Sequence, residues 1–140
     1  MSLQEAAREG ILGALRDRIA RGHDVDGSDG GGWTPLTRAC ASGHLECARA
    51  LIDAGAAVNM QDNGENSALM LACGPPNTVH IFSVHLECAR ALIDAQANLE
   101  RTNRRGQNAL MIACESFSDH SFQGRAESLC HGKAGCAFAL

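Results

Sequence analysis

The stretch GWTPLTRACASGHLECARALIDAGAAVN, residues 32–59, decides the fold of this chain. Thr34 can cap a helix with its side-chain oxygen, and Pro35 is tolerated at the first helical position, where its missing N–H has no intrahelical partner. A short apolar helix, a Ser-Gly break and a second helix follow, and Gly55 ends the second helix because glycine takes the left-handed conformation freely. The second helix has one apolar face, made of Leu45, Ala48, Leu51 and Ile52. A helix pair this small cannot bury that face alone, so the stretch predicts neighbours of the same shape.

The pattern recurs along the chain at a spacing of 33 residues. A shift back by 33 places Leu36 on Leu3, Ala39 on Ala6, Gly43 on Gly10, Leu45 on Leu12, Ile52 on Ile19, Gly55 on Gly22 and Val58 on Val25. A forward shift of 33 places Asp29, Thr34, Leu36 and Cys40 on Asp62, Ser67, Leu69 and Cys73. The undecapeptide HLECARALIDA, residues 44–54, returns letter for letter at 85–95, and Gly106, Asn108, Leu110 and Cys114 follow in the same register.

A period of 33 with Thr-Pro-Leu opening the first helix is typical of ankyrin repeats. The sequence resembles the ankyrin-repeat family over residues 3–114. The resemblance implies an all-α solenoid of about three and a half helix-turn-helix units, with β-hairpin fingers between them. We place the repeat domain at 1–114, with units at about 1–28, 29–61, 62–102 and 103–114, the last incomplete.

Three connections correspond to the implied fingers: residues 24–33, 60–67 and 100–108. The first two carry acidic side chains, whereas the third carries Arg101, Arg104 and Arg105, so the row of fingers changes from acidic to basic. Before the third finger, Gln96 replaces the glycine that ends the second helix in the earlier units. This substitution costs about 1 kcal/mol if the left-handed conformation is kept.

The third unit carries an insertion. The Cys-to-His spacing of 4 positions in the second unit becomes 12 in the third, so eight residues are added within the segment 74–84. The segment contains four residues that are too apolar for a solvated loop: Val79, Ile81, Phe82 and Val84. Two interpretations stay open. These residues fold back on the helix ends, or they contact a partner, since long loops in compact domains are often functional.

The repeat pattern fails after Cys114. Residues 115–140 contain no clear second helix. We predict an irregular or disordered tail there, or a chain that is cut or spliced before its last helix.

Composition excludes several classes of function. The 140 residues carry a net charge of −4 and a pI near 5.8, which disfavours a sequence-independent nucleic-acid binder. No apolar run approaches the roughly 20 residues needed to span a bilayer, and residues 1–10 lack the apolar core of a secretory signal. We therefore expect a cytoplasmic or nuclear monomer that binds neither nucleic acid nor membrane, with its seven cysteines as thiols.

The cysteines and histidines recur at fixed repeat positions. Cysteine stands where the first unit has Ala7 and Ala14, and the two residue types interchange as small buried side chains, so core packing is the preferred interpretation. A zinc site needs a closed tetrahedron of ligands, but a helix break separates Cys40 from His44 and Cys47. His44 and His85 stand at the turn between helices, where a structural hydrogen bond is expected. We predict no catalytic residues, no metal and no other cofactor.

The resemblance also implies a binding surface, because ankyrin proteins commonly use the finger tips and the first-helix face as a concave groove. Residues predicted to face it are Trp33, Arg38, Asn66, Leu71, Arg104, Arg105, Gln107 and Ile112. Trp33 is either an interface anchor, since Trp and Arg are over-represented among binding hot spots, or a packing residue of its own finger.

The sequence thus predicts a non-catalytic protein-interaction module or adaptor that holds a protein partner in this groove. Arg104 and Arg105 would pair with acidic groups of the partner. The alternatives are a fragment or short isoform of a larger ankyrin-containing regulator, and a metal-dependent protein that uses its Cys and His side chains.

Overall fold

A computed structural model describes residues 1–74 and 82–118 of the chain, with the backbone alone for 82–84 and 116–118. Within these ranges the chain forms seven α-helices: α1 (Leu3–Glu9), α2 (Leu12–Ala20), α3 (Pro35–Ser42), α4 (Leu45–Asp53), α5 (Ala68–Cys73), α6 (Phe82–Asp94) and α7 (Ala109–Ser118). Each odd-numbered helix is the first of a unit, and each even-numbered helix is the second.

The units stack in two layers. In the first layer α1 packs on α3, α3 on α5 and α5 on α7, and in the second layer α2 packs on α4 and α4 on α6. Because α1, α3 and α5 also pack on the second helices of their own units, each unit contacts mainly its neighbours. The predicted all-α repeat solenoid is confirmed.

Local sequence sets where the first helices begin. The side chains of Thr34, Ser67 and Asn108 accept the backbone N–H three residues on, at 3.2, 3.3 and 2.9 Å. Ser2 and Glu5 form the reciprocal capping box at the start of α1. Each cap satisfies a backbone donor that the helix itself leaves without a partner.

A leucine core with small residues between the helices runs through the stack. The fully buried leucines are Leu15, Leu36, Leu51, Leu69 and Leu92. Alanines and the buried Cys40, Cys47 and Cys88 fill the positions where helices of adjacent units approach. Among the described residues, the structure has free thiols at Cys40, Cys47, Cys73 and Cys88. These four agree with the expectation of thiols.

The fingers are turns. In the described part of the chain no strand forms, and the one sign of β pairing is an isolated antiparallel bridge between Gln61 and Ser67. The expected β-hairpin fingers are therefore not confirmed. Side-chain oxygens of buried or half-buried residues accept several backbone N–H groups of these turns, as described below.

The predicted insertion and tail differ from the structure at their edges. Helix α6 begins at Phe82, so the last three residues of the segment 74–84 are helical, while Val79 and Ile81 lie outside the described residues. Helix α7 continues to Ser118, so the predicted end of the repeat domain at residue 114 falls inside a helix. Residues 119–140 lie outside the described residues. None of the helices between residues 1–74 and 82–118 is long and apolar enough to cross a membrane.

Candidate functional site

A buried or half-buried polar residue organises the tip of each finger: Asp29, Asp62 and Asn103. In each case one side-chain oxygen accepts the backbone N–H groups of the residues two and four positions on. The donors are Gly31 and Trp33 (2.9 and 3.0 Å), Gly64 and Asn66 (2.8 and 2.9 Å), and Arg105 and Gln107 (2.9 and 3.1 Å). Such Asx turns fix the backbone without strand pairing. The 33-residue period aligns Asp29 with Asp62, but the sequence predicts no role for either side chain.

The tips are tied to one another as well as to their own turns. The backbone N–H of Asn63 donates to the Gly31 carbonyl at 3.0 Å, and that of Arg104 donates to the Gly64 carbonyl at 3.1 Å. The Asn103 side-chain amide adds a bond to the Asn66 Oδ1 at 3.1 Å. The three fingers therefore form one continuous row whose backbone is held in place.

A groove of about 720 Å³ runs between this row and the face of the first helices. Seven of the eight residues predicted to face a partner line it: Trp33, Asn66, Leu71, Arg104, Arg105, Gln107 and Ile112. The prediction missed six others: Ala41, Gly64, Met70, Gly74, Asn103 and Glu115. Leu71, Ile112 and the deeper Met70 make the helix side apolar, while amides and guanidinium groups make the finger side polar. We name this surface the finger groove.

Arg38 is the predicted residue that does not line the finger groove. Its guanidinium carbon lies 4.6 Å from the centre of the Trp33 ring, a cation–π arrangement, and its Nη2 pairs with Asp29 Oδ2 at 2.5 Å. The hydrogen bond from Arg38, followed by those from the Trp33 and Gly31 N–H groups, lowers the pKa of Asp29. Trp33 is therefore half-buried and held by its own unit while it also forms one wall of the groove.

Comparison with known proteins identifies the architecture. Residues 3–82 match the family described as ankyrin repeats (3 copies). This chain belongs to the ankyrin-repeat family. It is 34% identical over 68 residues to the putative ankyrin repeat protein YahD of Escherichia coli K12, covering 49% of this chain and 34% of the relative. It is 40% identical over 55 residues to human protein phosphatase 1 regulatory subunit 27, covering 39% of this chain and 36% of the relative. The matches thus span about a third of the length of each relative.

The far end of this ankyrin stack is basic. Arg104 and Arg105 are exposed, and neither guanidinium has a carboxylate within ion-pair distance among residues 1–74 and 82–118. Glu115 stands at the same end, where both of its oxygens accept from Gln107 Nε2 at 2.7 and 2.9 Å. The extension of α7 past Cys114 brings Glu115 to the groove, which the predicted boundary did not anticipate.

The two histidines of the ankyrin turns have structural contacts. His44 Nε2 lies 3.0 Å from the Arg8 carbonyl oxygen, and His85 Nε2 lies 3.1 Å from that of Ala41. Both acceptors lie near the end of the first helix of the preceding unit, Arg8 in α1 and Ala41 in α3. The hydrogen-bonding role predicted for the histidines thus fits the geometry of both.

Burial disfavours thiolate chemistry at two of the described cysteines, Cys47 and Cys73. Burial raises the pKa of Cys73 to about 12, and it also raises the pKa of Cys47. Such thiols stay protonated at neutral pH, whereas nucleophiles and metal ligands are thiolates. No group of three or more His, Cys, Asp or Glu side chains in the described residues is placed to hold a metal ion.

Proposed function

We propose that this chain is a non-catalytic interaction module that binds a protein partner in the finger groove. The observation that carries the proposal is that residues of several units meet at one surface. Side chains from three separate units, at repeat-equivalent positions, line a single groove of about 720 Å³. Ankyrin repeats are generally protein-interaction modules, so the family supports a binding role.

The rigidity of the groove supports the same function. Its finger wall is fixed by six Asx-turn hydrogen bonds and by the bonds between neighbouring tips. A wall that is ordered before binding lowers the entropy cost of association. The Asp29–Arg38 pair fixes Trp33 in the same way, and a fixed, partly exposed indole is suited to anchor a partner.

One relative points in the same direction. The human relative is named as a regulatory subunit of protein phosphatase 1, which is compatible with action through binding. Because the match covers 36% of that protein, the partner itself does not transfer to this chain.

The test is affinity capture from cell lysate with the full chain and with the variant Trp33→Ala/Arg104→Ala/Arg105→Ala. A matched control truncates an exposed apolar residue and two exposed arginines outside the groove: Leu99→Ala/Arg16→Ala/Arg49→Ala. Circular dichroism and urea unfolding verify that the variants fold.

We expect the groove variant to lose at least about tenfold of the specific captured protein, because alanine substitution of central Trp and Arg residues removes most interface energy. The control variant should retain it. Equal capture by wild type and groove variant, with both folded, would contradict binding in the finger groove.

A further inference from the structure

We infer that the finger groove selects an extended, acidic segment of its partner, with an apolar residue lying about five or six residues from an acidic pair. This inference rests on the proposed function and gives the chemical class of the ligand. Its three supports are the unpaired cations at one end, the neutral apolar wall at the other, and the distance between them.

The basic end presents two adjacent cations on a fixed backbone. The N–H of Arg104 donates to the Gly64 carbonyl and that of Arg105 donates to the Asn103 side chain at 2.9 Å, so the tip cannot easily move. Both guanidinium groups remain exposed and without a carboxylate partner in the described residues. Guanidinium groups bind carboxylates through two parallel hydrogen bonds, which gives geometric selectivity as well as energy.

The charge of the whole chain makes this basic end distinctive. The net charge is −4, so a basic surface here is local and is not part of a generally cationic protein. Glu115 contributes one negative charge beside it, but Gln107 donates to both of its oxygens. The neighbouring Arg101 is exposed and donates to Gln61 Oε1 at 2.7 Å, which adds a third positive charge to this finger. Glu100 in the same finger adds a second negative charge, so the described charges at this end are three arginines against two carboxylates, and their sum is positive.

The charged residues that line the described part of the groove, Arg104, Arg105 and Glu115, stand at the basic end, and the opposite end offers apolar surface. Trp33 is flanked by Arg38 and Asp29, whose charges cancel in their ion pair. Leu71 continues the apolar surface along the helix side of the groove. A partner side chain that fits this end is aromatic or aliphatic, because a charged group would lose hydration without gaining a partner.

The repeat geometry sets the spacing between the two determinants. Trp33 and Gln107 hold equivalent positions two units apart, and packed helices lie about 8–10 Å apart, so the two ends are separated by roughly 16–20 Å. An extended chain advances about 3.3 Å per residue, so it crosses that distance in about five or six residues.

The test uses a phage-displayed library of random linear peptides, selected on the full chain. Parallel selections use Trp33→Ala, the charge reversal Arg104→Glu/Arg105→Glu, and the control reversal Arg16→Glu/Arg49→Glu on the second helices. Fluorescence anisotropy of one enriched peptide, at low and high salt, then gives Kd for every variant.

We expect wild type and the control reversal to enrich peptides with Asp or Glu pairs about five or six residues from an apolar residue. The charge reversal at Arg104 and Arg105 should weaken such a peptide by about tenfold or more, and added salt should weaken its binding to wild type. Glu115→Gln should tighten the peptide by about twofold, because it removes a carboxylate that lines the groove at the basic end.

Other outcomes separate this inference from the proposed function. Peptides that require Trp33 but show no acidic preference, or whose affinity survives the charge reversal, would overturn the inference and leave groove binding intact. Selections that are unaffected by Trp33→Ala and by the charge reversal would count against groove binding itself.

Discussion

The undecapeptide HLECARALIDA occurs at residues 44–54 and again at 85–95, and it forms a second helix both times. In the first copy, Gly43 in the left-handed conformation ends α3, and α4 begins two residues later, at Leu45. In the second copy α6 begins at Phe82, so His85 lies inside the helix instead of before it. The same eleven residues therefore begin their helix at different points, because the preceding residues differ.

Two features are nevertheless preserved between the copies. Each histidine reaches the carbonyl of a first helix one unit earlier, at 3.0 and 3.1 Å. Each helix also ends in the same cap: Gly55 and Gln96 are left-handed, with φ of 86° and 63°, and the residue after each donates to a carbonyl five residues back. A glutamine in this conformation shows that the repeat imposes the cap against the preference of the residue.

The two copies differ most in the pKa of their cysteine, Cys47 in the first and Cys88 in the second. Burial raises the pKa of Cys47, whereas a hydrogen bond from Cys40 lowers the pKa of Cys88. The residue that corresponds to Cys40 one unit earlier is Ala7, which offers Cys47 no such donor. Identical sequence therefore acquires different chemistry from the adjacent unit.

The largest expected effect tests whether both copies are part of one cooperative core. Leu51 and Leu92 are both 0% exposed, so Leu51→Ala and Leu92→Ala should each destabilise the chain by about 2–5 kcal/mol. Urea unfolding followed by circular dichroism gives both values. The exposed pair Asp53→Ala and Asp94→Ala should stay within about 0.5 kcal/mol of wild type. If Leu92→Ala lowers the free energy of unfolding by less than about 1 kcal/mol, the third unit unfolds separately.

The histidines should show the next largest difference. His85 is 6% exposed, so His85→Ala should cost about 1–3 kcal/mol, because it removes the partner of the Ala41 carbonyl in a buried site. His44 is half-buried, and His44→Ala should cost less, about 0.5–1.5 kcal/mol. The control His23→Ala removes an exposed histidine. If all three variants lose the same free energy of unfolding in urea, the structural role of both turn histidines is contradicted.

Exchange of the helix caps should give effects of opposite sign. Gln96→Gly should stabilise the chain by about 1 kcal/mol, and Gly55→Gln should destabilise it by a similar amount, because only glycine avoids the Cβ penalty at positive φ. Gln96→Ala is the control, since alanine keeps the Cβ and should bring no such gain. A gain from alanine equal to that from glycine, measured by urea unfolding, would assign the effect to the glutamine side chain.

The smallest expected effect concerns the thiols and pH. The pKa of Cys47 is raised on folding, so the folded chain keeps a proton that the unfolded chain loses above about pH 9. Its contribution to stability is therefore complete at neutral pH and falls as the pH rises. Cys47→Ala should make the alkaline loss of stability shallower. Cys88→Ala, in the second copy, should leave the loss due to Cys47 in place, and identical pH profiles for Cys47→Ala and wild type would contradict this assignment.

Much of the fold could be predicted because its causes are local. The side chains of Thr34, Ser67 and Asn108 each cap a helix by accepting a backbone N–H only three residues further along the chain. The 33-residue period identifies the family. The same register explains why Trp33, Asn66 and Gln107 line one groove: equivalent positions in stacked units face the same side. The insertion adds eight residues to the third unit, so equivalent positions after it lie eight residues further along the chain. The repeated HLECARALIDA shows where the alignment resumes.

The sequence did not reveal the parts of the site that depend on how the units approach one another. Arg38 was expected to face a partner, but its reach to Asp29 and the Trp33 ring places it behind the groove wall. Glu115 was assigned to a tail, although the length of α7 brings it to Gln107.

The sequence by itself determined the helices, their caps and the repeat, because each depends on contacts within a few residues or on a pattern that recurs at fixed spacing. The tertiary structure alone decided the groove, the fixed indole of Trp33, and the Cys40 contact that gives Cys88 a different pKa shift from Cys47. These features join residues from different segments, and they exist only because stacking brings neighbouring units within the few ångströms over which hydrogen bonds and packing act.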